Sequence, residues 1–204
     1  MIRNLIFDIG NVLLEYRWLD MMLDHGLSRE ESLLLADNMF GDPLWDELDL
    51  GNKSLDDIIA EYGRKYPSRA REIDWFLRHG EYMHVKCPDV WRRVHELRGK
   101  GYRIYLLSNY SEDLFRKHTS GASFMNDIDG MIISYQVHYV KPDIRIYRAL
   151  LDRYNLKPEE CIFYDDREAN TKGARHAGIE AVTITSTDQL IHLLDARLAE
   201  PALL

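Results

Sequence analysis

The chain has 204 residues, 34 acidic against 26 basic, for a formal net charge of −8, and 46% of it is hydrophobic. That composition suits a folded globular domain and excludes intrinsic disorder, a collagen-like repeat and a disulfide-stapled miniprotein. No apolar run approaches the ~18 residues of a membrane span, and the acidic balance argues against a nucleic-acid partner, which needs clustered Lys and Arg.

The first apolar segment, Ile2–Phe7, ends abruptly at Asp8, too soon for a secretory leader. From residue 15 to 80, helical patterns follow one another without convincing strands: Trp18–Asp24, Arg29–Asn38, Leu55–Tyr66 and Arg69–His79. Turn signals at His25-Gly26, Gly41-Asp42-Pro43, Gly51-Asn52 and Pro67-Ser68 separate them. Ser28 before Glu30-Glu31, and Ser54 before Asp56-Asp57, read as helix N-caps with acidic first turns.

From Pro88 onward, helix and strand alternate. Pro88–Lys100 carries Val90, Trp91, Val94 and Leu97 at helical spacing, with Gly101 just beyond. Tyr102–Leu107, Met131–Ser134, Cys161–Tyr164 and Glu180–Ile184 read as strands buried on both faces. Helices are expected over Asp143–Tyr154, Arg167–Ala177 and Thr187–Leu198. The expected architecture is α/β, a Rossmann-like doubly wound parallel sheet with a helical insert after its first strand. The division is residues 1–14 and 82–204 for the core and 15–81 for the insert. Cys87 and Cys161 lack a metal or CxxC spacing and read as buried thiols in a reducing, cytoplasmic setting.

In open parallel sheets, ligands bind at the carboxyl ends of the strands. There the sequence puts Asp8, Ser108-Asn109 and Asp165-Asp166, and a further loop carries Lys141-Pro142. A nucleophilic carboxylate, a hydroxyl, a cation and paired carboxylates are the parts that phosphoryl transfer needs. Oxygen-only ligands suit Mg²⁺. Taken singly, each has a plainer reading as a turn residue, a helix cap or a surface charge.

Four segments in order resemble the motifs of the haloacid dehalogenase superfamily: Phe7-Asp8-Ile9-Gly10-Asn11-Val12, Leu107-Ser108-Asn109, Lys141-Pro142, and Tyr164-Asp165-Asp166 through Asn170 and Gly173. The resemblance implies that Asp8 attacks phosphorus to form an aspartyl-phosphate. Ser108, Asn109 and the backbone of Ile9 and Gly10 would bind the phosphoryl group, and Lys141 would balance its charge. Mg²⁺ would be held by Asp8, the Gly10 carbonyl and Asp166, with Asp165 a further ligand or a partner of the ligands. The helical insert resembles the C1-type cap of subfamily IA. Asn11 is a candidate to touch substrate or position the cap, and Trp45 to face substrate or pack the cap helices. His138, near Lys141, is the one histidine beside these loops, and a plain loop histidine is its simpler reading.

Residue 10 departs from the pattern. Phosphatases of this superfamily typically carry a second aspartate there as general acid and base; here it is Gly10. Losing a positioned acid costs ~10²–10⁴-fold unless the leaving group is good or another group substitutes. The opening motif resembles bacterial α-D-glucose-1-phosphate phosphatases, whose anomeric leaving group needs less protonation. The expected function is hydrolysis of a small phosphorylated metabolite such as a hexose 1-phosphate. The alternatives are a dehalogenase, which uses the same aspartate without metal, and a non-catalytic phosphate-binding module. Nothing in the residues separates a monomer from a homodimer.

Overall fold

A computed structural model describes residues 1–203. Strands β1 (Asn4–Phe7), β2 (Leu14–Tyr16) and β3 (His84–Lys86) come first, with helices α1 (Trp18–Asp24), α2 (Arg29–Phe40), α3 (Pro43–Leu50), α4 (Leu55–Lys65) and α5 (Ala70–Arg78) between β2 and β3. The rest runs α6 (Pro88–Gly99), β4 (Arg103–Ser108), α7 (Glu112–Thr119), β5 (Gly130–Ile133), α8 (Ser134–Val137), α9 (Ile144–Tyr154), β6 (Cys161–Asp165), α10 (Glu168–His176), β7 (Glu180–Thr183) and α11 (Thr187–Ala199).

Five strands form one parallel sheet in the order β5-β4-β1-β6-β7. Side chains alternate between its faces, as the period of a strand requires. Leu5, Phe7, Ile104, Leu106, Ile162 and Tyr164 enter one core with Val90, Val94 and Leu97 of α6 and Leu190 and Leu194 of α11. Ile6, Tyr105, Leu107, Cys161 and Phe163 enter a second core with Ile146, Tyr147 and Leu150 of α9 and Ala174 of α10. Helices therefore cover both faces, which is why the strands are apolar throughout rather than alternating. Both cysteines are buried and unbridged.

Register aligns the strand ends. Phe7 lies opposite Leu106 on one side and Tyr164 on the other, so Asp8, Ser108 and Asp165 emerge at one edge of the sheet. A central strand is the natural place for a reacting group, because loops from both neighbours can reach it.

Two features correct the sequence reading. The region from Leu14 onward contains strands: β2 pairs antiparallel with β3, Leu14 opposite Lys86 and Tyr16 opposite His84. Three-residue strands carry no usable periodicity, and their pairing spans the whole helical insert. Second, Gly41-Asp42-Pro43 is a helix start as well as a turn. Asp42 is the N-cap of α3, its side chain accepting from the Leu44 N–H, and Pro43 is the first helical residue, where its missing N–H costs nothing. Tyr66 of the next segment donates to Asp42 at 2.7 Å and Lys65 pairs with it, which ties α3 to α4.

Candidate active site

Asp8 follows β1 and is 8% exposed. Its Oδ1 accepts from the Ser108 hydroxyl at 2.5 Å, the Ile9 N–H at 2.8 Å and the Lys141 ammonium at 2.9 Å. Among the described residues no hydrogen bond engages Oδ2. One oxygen is thus fixed by three donors and the other is left for chemistry. Burial raises the Asp8 carboxyl above its ordinary range, Lys141 opposes this, Asp165 and Asp166 add to it, and Ser108 counters.

Lys141 is buried and also bonds Asp165 at 2.6 Å and the Leu107 carbonyl at 3.0 Å. Burial would discharge the amine, but Asp165 and Asp8 more than offset that and hold it charged. Its loop is set by Asn109, whose amide donates to the Lys141 carbonyl at 3.1 Å and whose oxygen accepts the Lys141 N–H at 2.8 Å. Asn109, a candidate to bind phosphate, lines the cavity, and its side chain holds the lysine backbone. The Ile9 N–H is likewise committed to Asp8.

Asp165 is fully buried and saturated: its Oδ1 accepts from the Arg167 N–H and Asn170, and its Oδ2 from Lys141 and Asn170. Asp166 is half-buried and takes one donor, the Asn11 amide at 2.9 Å on Oδ2. Asn11 sits at φ 54°, and its oxygen also accepts the Tyr16 N–H at 3.1 Å, so it ties the nucleophile loop to both Asp166 and β2. Burial raises Asp166, Asn11 pulls it down and Asp165 pushes it up.

Carboxylate oxygens of Asp8, Asp165 and Asp166 lie within 4.8 Å of one another. The buried Asn170 Oδ1 beside them has no hydrogen-bond partner among the described residues. Clustered carboxylates with an orphaned oxygen fit a hydrated divalent cation, and oxygen-only donors fit Mg²⁺. Because Asp165 is saturated by protein donors, Asp8 and Asp166 are the carboxylates with free oxygens.

Asp8, Ser108, Lys141, Asp166 and Asn170 line a cavity of about 470 Å³ whose far wall comes from the insert: Trp18, Phe40, Trp45, Asp46 and Asp49. Trp45 packs edge-on to Phe40 at 4.6 Å between centroids, and Phe40 against Trp18 at 5.7 Å. Trp45 thus packs the insert helices together and also lines the cavity. His138 is exposed, and its Nδ1 bonds the Leu50 carbonyl at 2.8 Å, capping α3 instead of entering the cavity.

A family model of haloacid dehalogenase-like hydrolases matches residues 2–178. The chain belongs to that family. As a haloacid dehalogenase-like hydrolase it is 31% identical over 119 residues to a phosphoserine phosphatase of Thermus thermophilus, covering 58% of this chain and 48% of that one. It is 23% identical over 192 residues to a sesquiterpene phosphatase of Aspergillus oryzae, covering 94% and 93%. A haloacid dehalogenase family enzyme of Bacteroides thetaiotaomicron, solved with magnesium and inorganic phosphate, superposes with a TM-score of 0.74 at 22% identity, covering 95% and 99%. The chain spans less than half the length of the first curated relatives it matches.

Sequence reasoning missed Tyr16, Trp18, Phe40, Tyr110 and Asp49. The first four are aromatic and read as core. Asp49 carried a signal, since Asp46 and Asp49 are three apart and share a face once Pro43–Leu50 is helical.

Proposed function

We propose that this hydrolase is a Mg²⁺-dependent phosphatase that cleaves a small phosphorylated metabolite through an aspartyl-phosphate on Asp8. The observation that carries this is the asymmetry of Asp8, whose Oδ1 is pinned by Ser108, Ile9 and Lys141 while Oδ2 takes no donor among the described residues. A carboxylate held by one oxygen presents the other at a constant angle, which is what in-line attack requires.

Asp8, Asp166 and the Gly10 carbonyl would hold Mg²⁺, whose charge stabilises the equatorial oxygens of the transferring group. Ser108 and Lys141, already on the nucleophile, are within reach of the phosphoryl oxygens it takes up. Lys141 keeps two neighbouring carboxylates from repelling an anionic substrate. Asp165 and Asn109 orient Lys141, and Asn11 orients Asp166. The insert, residues 15–81, acts as a C1-type cap over the core of residues 1–14 and 82–204, and it excludes water from the reacting centre.

A hexose 1-phosphate suits the site because its anomeric oxygen leaves readily and residue 10 offers no acid. The wall of Trp18, Phe40 and Trp45 gives such a ring an apolar face to stack on. The same wall favours a second substrate class, a phosphorylated apolar chain, and the relative named a sesquiterpene phosphatase is consistent with it. Dehalogenation is the weaker alternative, since that reaction has no use for the Asp165-Asp166 pair. The proposed setting is the cytoplasm; among the described residues no helix is long and apolar enough to cross a membrane.

Phosphate release from a panel of sugar and prenyl phosphates, with Mg²⁺ and with EDTA, tests the proposal. Wild-type turnover lost in Asp8→Asn supports it. Equal behaviour of the two proteins, or chloride release from 2-chloropropionate without metal, overturns it.

A further inference from the structure

The task that a carboxylate at residue 10 would perform is unassigned, and the space it would occupy is filled. A Cβ on Gly10 would collide with the ring and hydroxyl of Tyr16. Tyr16 does not replace the acid. Its hydroxyl donates to Tyr110 at 2.6 Å, and the Tyr110 hydroxyl meets His118 Nδ1 at 3.0 Å. His118 Nε2 meets the Gly80 carbonyl at 2.8 Å, so that nitrogen carries the proton and Nδ1 accepts. The chain of donors runs inward, and burial, opposed only by the Gly80 bond and Asp113, lowers His118 to about 4 and keeps it neutral. Tyr16 turns a lone pair, not a proton, toward the cavity.

The insert supplies a different group. Asp49 near the end of α3 is 8% exposed and lines the cavity with Asp8, Gly10 and Lys141. Lys141, the cation acting on it, is already bonded to Asp8 and Asp165. Asp49 is held in place through its backbone: its carbonyl accepts the Ser134 hydroxyl at 2.6 Å, and the next carbonyl, Leu50, is bonded by His138. Gly51 then turns at φ 67° against the Tyr135 backbone, where a Cβ would not fit. Three core residues therefore clamp the end of α3 so that Asp49 faces the reacting centre.

We propose that Asp49 is the catalytic proton donor to the leaving oxygen and then the base for the hydrolytic water. The inference rests on the phosphatase reading above. In the first step an Asp8 oxygen bonds phosphorus, the bond from phosphorus to the leaving oxygen breaks, and that oxygen takes the Asp49 proton to leave as an alcohol. In the second, water bonds phosphorus and gives its proton to Asp49, and the bond to Asp8 breaks to release phosphate. Both residues return to their starting states. Burial, then the neighbouring Asp46, push the Asp49 carboxyl up to about 7 against the opposing Ser111 backbone N–H and Lys141, where both protonation states are available. Its place at a helix C-terminus works in the same direction.

The test is a series of substituted phenyl phosphates of increasing leaving-group basicity, assayed with Mg²⁺ on wild type, Asp49→Asn and Asp49→Glu. Loss of an acid makes the rate depend steeply on the leaving group. In kcat/KM, which reports formation of the aspartyl-phosphate, Asp49→Asn is expected to stay within ~10-fold of wild type on p-nitrophenyl phosphate and to fall ~10²-fold or more on phenyl phosphate, while kcat falls on both through loss of the base. Asp49→Glu is expected to recover part of the difference. An Asn variant whose kcat/KM falls equally across the series, or not at all, overturns the assignment, and a melting curve verifies that it is folded. A wild type inactive across the series and indistinguishable from Asp8→Asn overturns the phosphatase reading itself.

Discussion

Tyr16 stands in the space that a side chain on Gly10 would need. The two residues belong to different parts of the chain's economy: Gly10 follows the nucleophile, and Tyr16 ends β2, the strand leading into the insert. Their contact explains why restoring an aspartate at residue 10 is not a simple repair. Gly10→Asp alone is expected to lower stability by about 1–3 kcal/mol, the usual cost of overpacking, and to leave turnover no better. Combined with Tyr16→Ala it should be tolerated, so the two changes will be strongly non-additive in a thermal-denaturation cycle. Additive effects would refute the steric account.

Lys141 is the charge on which two buried carboxylates depend. Removing it leaves Asp8 and Asp165 buried without a counter-charge. Lys141→Ala is expected to cost about 3–5 kcal/mol in metal-free protein, the range for breaking a buried ion pair. Asp165→Asn on that background should recover part of the loss. Urea denaturation in EDTA measures both. A Lys141→Ala protein as stable as wild type would mean that the carboxylates are neutral.

Asp49 makes the fold sensitive to pH with a definite sign. Its carboxyl titrates at about 7 in the folded chain against an ordinary 3.8. The folded state therefore holds that proton more tightly, and stability falls as pH rises from about 4 through 7. Asp49→Asn removes the penalty. In EDTA it should melt at the same temperature as wild type near pH 4 and several degrees higher at pH 8, with a ceiling of about 4 kcal/mol for three pH units. A variant less stable than wild type at pH 8 would show that the carboxylate is favourably bound.

Mg²⁺ should raise the melting temperature, because it relieves repulsion among Asp8, Asp165 and Asp166. At a hundredfold excess over the dissociation constant the gain is about 2.7 kcal/mol. Asp166→Asn should abolish the shift, and Asn11→Ala, which frees Asp166 of its donor, should reduce it. A full shift in Asp166→Asn would remove that residue from the ligand set.

Much of this site could be read from the residues in order. Asp8, Ser108, Lys141, Asp165 and Asp166 each close a short apolar run or open a loop, and a parallel sheet gathers such ends by its own geometry. Roles within the group were less legible. Asn109 and Ile9 looked like phosphate donors, yet one is bonded to the Lys141 backbone and the other to Asp8. Which partner a donor takes depends on distances across the loops. Asp42-Pro43 reads equally well as a turn or as a helix start, and only packing of α3 on α4 and the core chose between them.

The order of strands and helices, the two-sided burial of β1, β4 and β6, and the family motifs were all present in the linear chain, because periodicity and spacing are local properties. The cavity was not. Tyr16 against Gly10, Asp49 in one cavity with Asp8, and the clamp of Ser134 and His138 on α3 each join residues far apart in sequence. Such contacts exist only when β2 and β3 pair and carry the insert onto the sheet's edge. Long-range packing decides them, and packing leaves no periodic trace in the residues it joins.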